Sequence, residues 1–288
     1  MESIVRLESV VVAYGSCIAV DRLDLAVSQG ELFGLLGPSG AGKSSTLRVL
    51  IGQCRASSGR VTVAGLDLVR DWGRIKPQFG YVPDRENLFD EFTGRRNLEL
   101  FADLYRVSRT RVAECLDLVE LSEAGDQPAR TYSLGMRRKL LLARALLHKP
   151  SLLYLDEPTA NLDIHSAAVV HRILRVLAAE GTTVLLTTHN MQEVEAVCDR
   201  IGILCRGRLV ALDTPLALRH RHAEHRADVV LSGGQRAVFD LSQEQDRALL
   251  ARHIAIGEVT SIQTREADLQ QVFRNLTGTS CGCENARC

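Results

Sequence analysis

Gly37-Pro38-Ser39-Gly40-Ala41-Gly42-Lys43-Ser44 fits the pattern G-x-x-x-x-G-K-[ST]. The short apolar run ELFGLLG (31–37) precedes it, as a buried strand ending on a glycine does, and SSTLRVLIG (44–52) reads as the helix that follows. Glycines at these places let the backbone wrap closely around phosphate oxygens, and the helix N-terminus adds a partial positive charge. Lys43 has the reach for β- and γ-phosphates, and Ser44 offers a hydroxyl to Mg2+. A glycine-rich turn with a chance lysine is the plain alternative; a strand before and a helix after distinguish the two. The motif specifies a nucleoside triphosphate and leaves the task open.

SLLYLDE (151–157) and TTVLLTTH (182–189) are apolar runs suited to central parallel strands, and AAVVHRILRVLAAEG (167–181) suits the crossover helix between them. The fold class expected is α/β. In a parallel sheet the strand C-termini open onto the ligand crevice, so Asp156 and Glu157 end a strand where a phosphate loop needs carboxylates. Asp156 there holds Mg2+ through water, and Glu157 polarises an attacking water. IVRLESVVVAY (4–14), LDLAV (23–27) and GRVTVAG (59–65) read as strands, and RIGILCRGRLVAL (200–212) as a hairpin around Arg206-Gly207. Residues from about 85 to 148 form a helical subdomain within a first domain, 1–218. The basic, His-rich RHRHAEHR (219–226) reads as a linker to a small α+β domain, 227–278, followed by a tail, 279–288.

The chain has 288 residues, 35 Lys+Arg against 35 Asp+Glu, a formal net charge of +0 and 45% hydrophobic residues. Wholesale disorder is excluded by these values. Balanced charge argues against a protein whose main task is coating nucleic acid, so no nucleic-acid partner is expected. No apolar run reaches the ~18 residues of a bilayer span. The opening MESIVRLESVVVAY lacks the layout of a signal peptide, which leads us to expect a cytosolic chain. Cys17, Cys54, Cys115, Cys198 and Cys205 are scattered singly and are expected to be reduced thiols. Cys281, Cys283 and Cys288 crowd the end in CGCENARC; a soft-metal site, with His220, His222 or His225 as further ligands, is one reading and a plain tail the other.

With these motifs in order, the sequence resembles the ATP-binding cassette (ABC) ATPases, the motor subunits of ABC transporters, over nearly its whole length. Tyr14, in VVAYGS, matches the position where the family stacks an aromatic on adenine. Ser133-Leu134-Gly135-Met136-Arg137 matches the signature, and Ala160-Asn161-Leu162-Asp163 the loop that crosses the dimer interface. His189, in LLTTHN, matches the switch histidine at the γ-phosphate. The resemblance implies a P-loop NTPase fold of ABC type and ATP with Mg2+ as cofactors. The ATP contacts it implies are Tyr14, Gly37, Pro38, Ser39, Gly40, Ala41, Gly42, Lys43, Ser44 and Ser45, with Glu157 and His189 catalytic. Ser133, Leu134, Gly135, Met136 and Asp163 would then face the nucleotide of a second cassette, so a homodimer or a paired cassette is implied. It further implies a polytopic membrane permease as partner, and a peripheral place on the cytoplasmic face of the cell membrane. In relatives, the part corresponding to 87–107, with Leu88, Phe89, Phe92, Phe101 and Tyr105, receives a short helix of the membrane subunit; core packing is the other reading of these side chains.

Two departures matter. Asp84 stands where the family has a glutamine; a carboxylate near Mg2+ either binds the metal more strongly or fails to reach it, so Asp84 is a candidate both catalytically and for the metal. Leu231-Ser232-Gly233-Gly234-Gln235 spells the commonest signature but lies between two strand-like runs, with no helix after it, and reads as a hairpin turn. Signatures of the S-x-G-M-R type and the C-terminal unit resemble the subgroup that drives exporters of drugs, polysaccharides and lipids. A soluble ABC ATPase of iron–sulfur assembly is the alternative. A non-hydrolysing sensor would lack Glu157 or His189, and both are present.

Overall fold

The computed structural model describes residues 3–222, 226–264 and 267–278. They form two compact units, divided between Thr214 and Pro215. The first unit begins with β1 (Ser3–Tyr14) and β2 (Cys17–Ser28), an antiparallel pair joined at a turn on Gly15. There follow β3 (Leu32–Leu36), α1 (Lys43–Leu50), β4 (Ser58–Val63), β5 (Leu66–Asp67), α2 (Trp72–Ile75) and β6 (Phe79–Val82). A helical stretch comes next: α3 (Gly94–Tyr105), α4 (Arg109–Leu118) and α5 (Leu134–Leu146). The unit ends with β7 (Leu152–Asp156), α6 (Ile164–Ala179), β8 (Thr183–Thr188), α7 (Met191–Val197), β9 (Arg200–Cys205) and β10 (Arg208–Asp213).

A six-stranded sheet of order β10-β9-β3-β8-β7-β6 forms the centre. All its pairs are parallel except β10 on β9, at the edge. Every residue of β3, β7 and β8 is buried, which is why these strands read as continuous apolar runs rather than alternating ones. A second, antiparallel sheet, β2-β1-β4-β5, turns Val5, Leu7, Val20, Leu23 and Leu25 onto Phe33, Leu35 and Leu47 in one shared core. Each such side chain contributes ~1.5–3 kcal/mol on burial.

Five helices of this unit start where a side-chain oxygen can accept from a free first-turn amide. Thr93 caps α3, Ser108 α4, Ser133 α5, Asp163 α6 and Asn190 α7. Helix α1 differs: its N-cap is Gly42 in the left-handed region, with no side-chain cap.

The second unit contains α8 (Pro215–Arg221), β11 (Arg226–Leu231), β12 (Arg236–Asp240), α9 (Glu244–Ala255), β13 (Val259–Thr264) and α10 (Leu269–Thr277). Its strands form an antiparallel sheet, β12-β11-β13, with Ala227, Val229 and Phe239 packed on Leu250 of α9. The stretch 219–226 is therefore not a plain linker: it begins inside α8 and ends on the first residue of β11. The cause is Leu218, which is fully buried and anchors that helix despite the polar residues around it.

Candidate functional site

Strand register builds the site. Leu36, the last residue of β3, pairs with Thr188 of β8, and Asp156, the last of β7, pairs with Thr187. Three parallel strands thus end level, and the residues that follow, Gly37, Glu157 and His189, meet at one end of the sheet. The loop from Gly37 is pinned by Gly37 N donating to Thr188 O and Ala41 N donating to Pro38 O. Side chains do not fit its tightest places. A Cβ on Gly37 would meet Leu204 O at 2.5 Å; one on Gly42, at φ +107°, would meet Ala19 O at 2.5 Å. Ser39 and Gly40 form the outer, exposed part of the turn, and Ser44 and Ser45 lie in the first turn of α1. Lys43 is buried; its Nζ donates to Gly37 O at 2.7 Å and Pro38 O at 3.2 Å, and lies 3.5 Å from Glu157 Oε1.

Ser44 Oγ donates to Asp156 Oδ1 at 3.3 Å, and Thr187 Oγ1 donates to the same oxygen. A hydroxyl and a carboxylate are hard oxygen donors of the kind magnesium takes, and this ion keeps waters for its remaining ligands. The pair fits such an ion. Glu157 stands at φ +49°, held by its amide donating to Thr187 O at 3.0 Å. His189 Nδ1 donates to Glu157 Oε2 at 2.8 Å, with the carboxylate largely enclosed (17% exposed) and the imidazole open (63%). A carboxylate so oriented, beside an uncapped helix N-terminus and a buried lysine, can take a proton from a water attacking a phosphate.

Tyr14 ends β1 and is 42% exposed; its strand partner Cys17 begins the β2 segment that runs past Gly42 at Ala19. Ser133 caps α5 through Met136 N at 3.2 Å, and Leu134 beside it is 39% exposed. Gly135 is required within this chain as well: a Cβ there would meet Ser166 Oγ at 2.5 Å. Ser166 in turn is held by Asp163, which accepts from its amide at 2.9 Å and its hydroxyl at 2.7 Å. Those bonds hold the Asp163 carboxyl below the usual range. The signature helix and the Asp163 loop are thus neighbours. Asp84, just past β6, has as partner Arg138 of α5 at 3.6 Å, and not Ser44 or Asp156.

Leu231-Ser232-Gly233-Gly234-Gln235 is the β11–β12 turn, closed by Leu231 N donating to Gln235 O at 2.8 Å, with both glycines at positive φ. It lies in the second unit. Two of the scattered cysteines are not thiols: Cys17 and Cys205 are disulfide-bonded. Single spacing along a chain does not show which cysteines find a bonding partner; Cys17 begins β2 and Cys205 ends β9. Cys54, Cys115 and Cys198 are free; burial pushes the Cys115 thiol up to about 11 and raises that of Cys198 as well. Cys281, Cys283 and Cys288 lie outside the described residues, as does His225, and no cluster of three or more His, Cys, Asp or Glu placed to hold a metal occurs among the described residues.

Residues 20–160 match the family described as ABC transporter. The chain is 41% identical to the daunorubicin resistance ATP-binding protein DrrA2 of Streptomyces coeruleorubidus, over 79% of this chain and 72% of that one. It belongs to the ABC transporter ATP-binding family. A Nod factor export ATP-binding protein I from Rhizobium sp. (strain N33) is 36% identical, over 95% and 90% of the two chains. Among solved structures, a dimeric bacterial ABC transporter cassette superposes with a TM-score of 0.67 at 26% identity, covering 73% of this chain and 98% of that one. As an ABC ATPase the chain binds and hydrolyses ATP. Its relatives are export and resistance subunits, which supports the transporter reading over the iron–sulfur alternative. No helix among the described residues is long and apolar enough to cross a membrane.

Some residues of this ABC site were not anticipated in the role they take, and apart from Arg137, the last residue of the signature match, they carry no motif. Glu193 of α7, fully buried, accepts from Thr159 Oγ1 at 2.6 Å and lies 3.4 Å from His171 Nε2. It therefore holds the turn two residues after Glu157 against α6 and α7. Arg137, Arg138 and Arg144 of α5 reach the segment 83–90. Their sequence signal is faint: basic residues inside the otherwise apolar run LGMRRKLLLARAL.

Proposed function

We propose that this chain is the ATP-driven motor subunit of a membrane exporter, working as a closed pair of cassettes under a separate permease on the cytoplasmic face of the membrane. The observation that carries it is that two half-sites lie on one chain. Lys43, Glu157 and His189 gather at the ends of β3, β7 and β8, while Ser133, at the start of α5, stands exposed, its hydroxyl engaged only as the cap of its own helix among the bonds described. A helix N-terminus capped by an exposed serine suits the phosphate of a nucleotide held by a second copy or a related cassette.

Tyr14 stacks on adenine, the loop Gly37–Ser45 and Lys43 bind the phosphates, and Ser44 and Asp156 hold magnesium. When bound, that ion neutralises charge on the β- and γ-phosphates. Glu157 accepts the proton of the attacking water at its carboxylate, and His189 orients Glu157 through Nδ1. Asp163 steadies the loop that meets the second cassette. ATP closes the pair because the closed state binds it more tightly, and hydrolysis reverses the preference. The side chains of Phe89 and Phe92, half exposed with ring centroids 5.5 Å apart, suit the permease's helix. Export as the direction rests on the relatives' names, daunorubicin resistance and Nod factor export.

The test is purification from detergent-solubilised native membranes with identification of what comes with the chain. A polytopic membrane protein in stoichiometric amount is the expected result, and its sequence would narrow the cargo. Recovery of soluble proteins alone would overturn the exporter reading.

A further inference from the structure

Segment 83–90, between β6 and the helical stretch, hangs on the signature helix through arginines. Arg137 pairs with Glu86 and, at 2.8 Å, with Asp90, and also donates to Ala129 O at 3.0 Å. Arg144 donates to Asn87 O at 3.1 Å and to the Asn87 side chain. Between them Arg138 donates from Nη1 to Pro83 O at 2.8 Å and holds Nη2 3.6 Å from Asp84 Oδ1.

The two ends of that last pair are unequal. The Arg138 side chain is 6% exposed, and its Nε has no hydrogen-bond partner; Asp84 is 53% exposed. A guanidinium drawn that far from water needs an anion, and the carboxylate recorded beside it is Asp84. A neutral amide at position 84 would leave the charge uncompensated. The aspartate and the arginine thus explain one another.

We propose that Asp84 is a positioning residue: it acts through Arg138 on α5, tying the turn after β6 to the helix that carries Ser133, and it is not a magnesium ligand. This rests on the reading of Ser133 as the contact to a second cassette's nucleotide. A displacement of residues 83–90 is then carried to the N-terminal half of α5 by the arginines, with the Asp84–Arg138 pair as the link at the start of the segment, next to β6. Arg137 and Arg144 keep the segment attached when that pair is broken, so its loss costs alignment and not the fold.

Asp84→Asn, Arg138→Gln and the double variant test this in the full chain. Each single change is expected to lower kcat for ATP about fivefold, with the double no worse than the poorer single, since both remove one interaction. The KM for ATP and the magnesium concentration for half-maximal rate are expected to stay within about twofold of the parent. Amide hydrogen exchange on the nucleotide-free proteins gives a readout that needs no hydrolysis. Asp84→Asn is expected to speed exchange at 136–139 in α5, and Arg138→Gln at 84–87, with β7 unchanged. A roughly tenfold rise in the magnesium requirement of Asp84→Asn, with α5 exchange unmoved, would overturn the proposal in favour of a metal ligand. Multiplicative losses in the double variant, or exchange that rises only in the mutated element, would equally overturn it. An inactive parent chain would refute the ATPase reading, while the exchange data would still decide the pair.

Discussion

Glu157 occupies a backbone region that costs a non-glycine residue ~1–3 kcal/mol, and two bonds maintain it there: its amide to Thr187 O and its carboxylate to His189. Strain held at this position points the carboxylate at the phosphate loop rather than along β7. Glu157→Gln is expected to keep ATP binding and to lower turnover by about 10²–10⁴, the scale of a lost general base; steady-state hydrolysis and nucleotide binding measure the two parts. His148 shows residue-scale control of a different kind. Its Nε2 donates to Phe79 O at 3.0 Å, its Nδ1 is buried without a partner, and its ring stacks on Tyr105. Burial therefore holds its pKa below the ordinary 6.5. The sign follows: with a depressed folded pKa, its contribution to stability is full above about 6.5 and declines as the pH falls toward the folded value. Thermal unfolding of the parent chain is expected to shift down more between about pH 7 and 5.5 than that of His148→Gln, which does not titrate.

At the scale of elements, α5 serves three purposes. Its capped start presents Ser133, its Gly135 lies against Ser166 of α6, and its arginines hold segment 83–90. Capping and presentation compete for one hydroxyl, since Ser133 Oγ accepts from Met136 N at 3.2 Å. Ser133→Ala is expected to cost about 1 kcal/mol of stability as a lost cap and to lower ATPase activity further than that loss explains. Gln235→Ala, in the second copy of the motif, is expected to leave ATPase activity unchanged, because its glycines turn a hairpin and no helix follows. Assaying both variants together separates the signature from its look-alike: a large loss in Gln235→Ala would reverse that assignment.

For the whole molecule, the proposed function places two half-sites on one chain and so calls for a second cassette. Glu157→Gln with ATP is expected to run as a dimer on size-exclusion chromatography and to return to monomer when the nucleotide is removed. A monomer at saturating ATP would tell against the paired-cassette reading. The fold of the first unit was largely legible beforehand. Buried parallel strands advertise themselves as uninterrupted apolar runs, as in β3, β7 and β8, and the phosphate loop sits where strand and helix signals meet. The second unit was less so. Helix α9 and strand β13 escaped notice because their outer faces are exposed and their apolar periodicity is weak, and α8 hid inside a basic stretch.

The amino-acid sequence alone determined the P-loop architecture, the residues of the phosphate loop, the carboxylate pair and the histidine. Each is a local pattern whose chemistry depends on neighbours along the chain. Only the tertiary structure decided what depends on contacts between distant residues. It brought Glu157, 32 residues away, to His189, gave Asp84 its partner 54 residues on in Arg138, and put Cys17 and Cys205, each expected as a lone thiol, into disulfide bonding. Long-range pairing is set by strand order and helix packing, and neither leaves a periodic mark on the sequence.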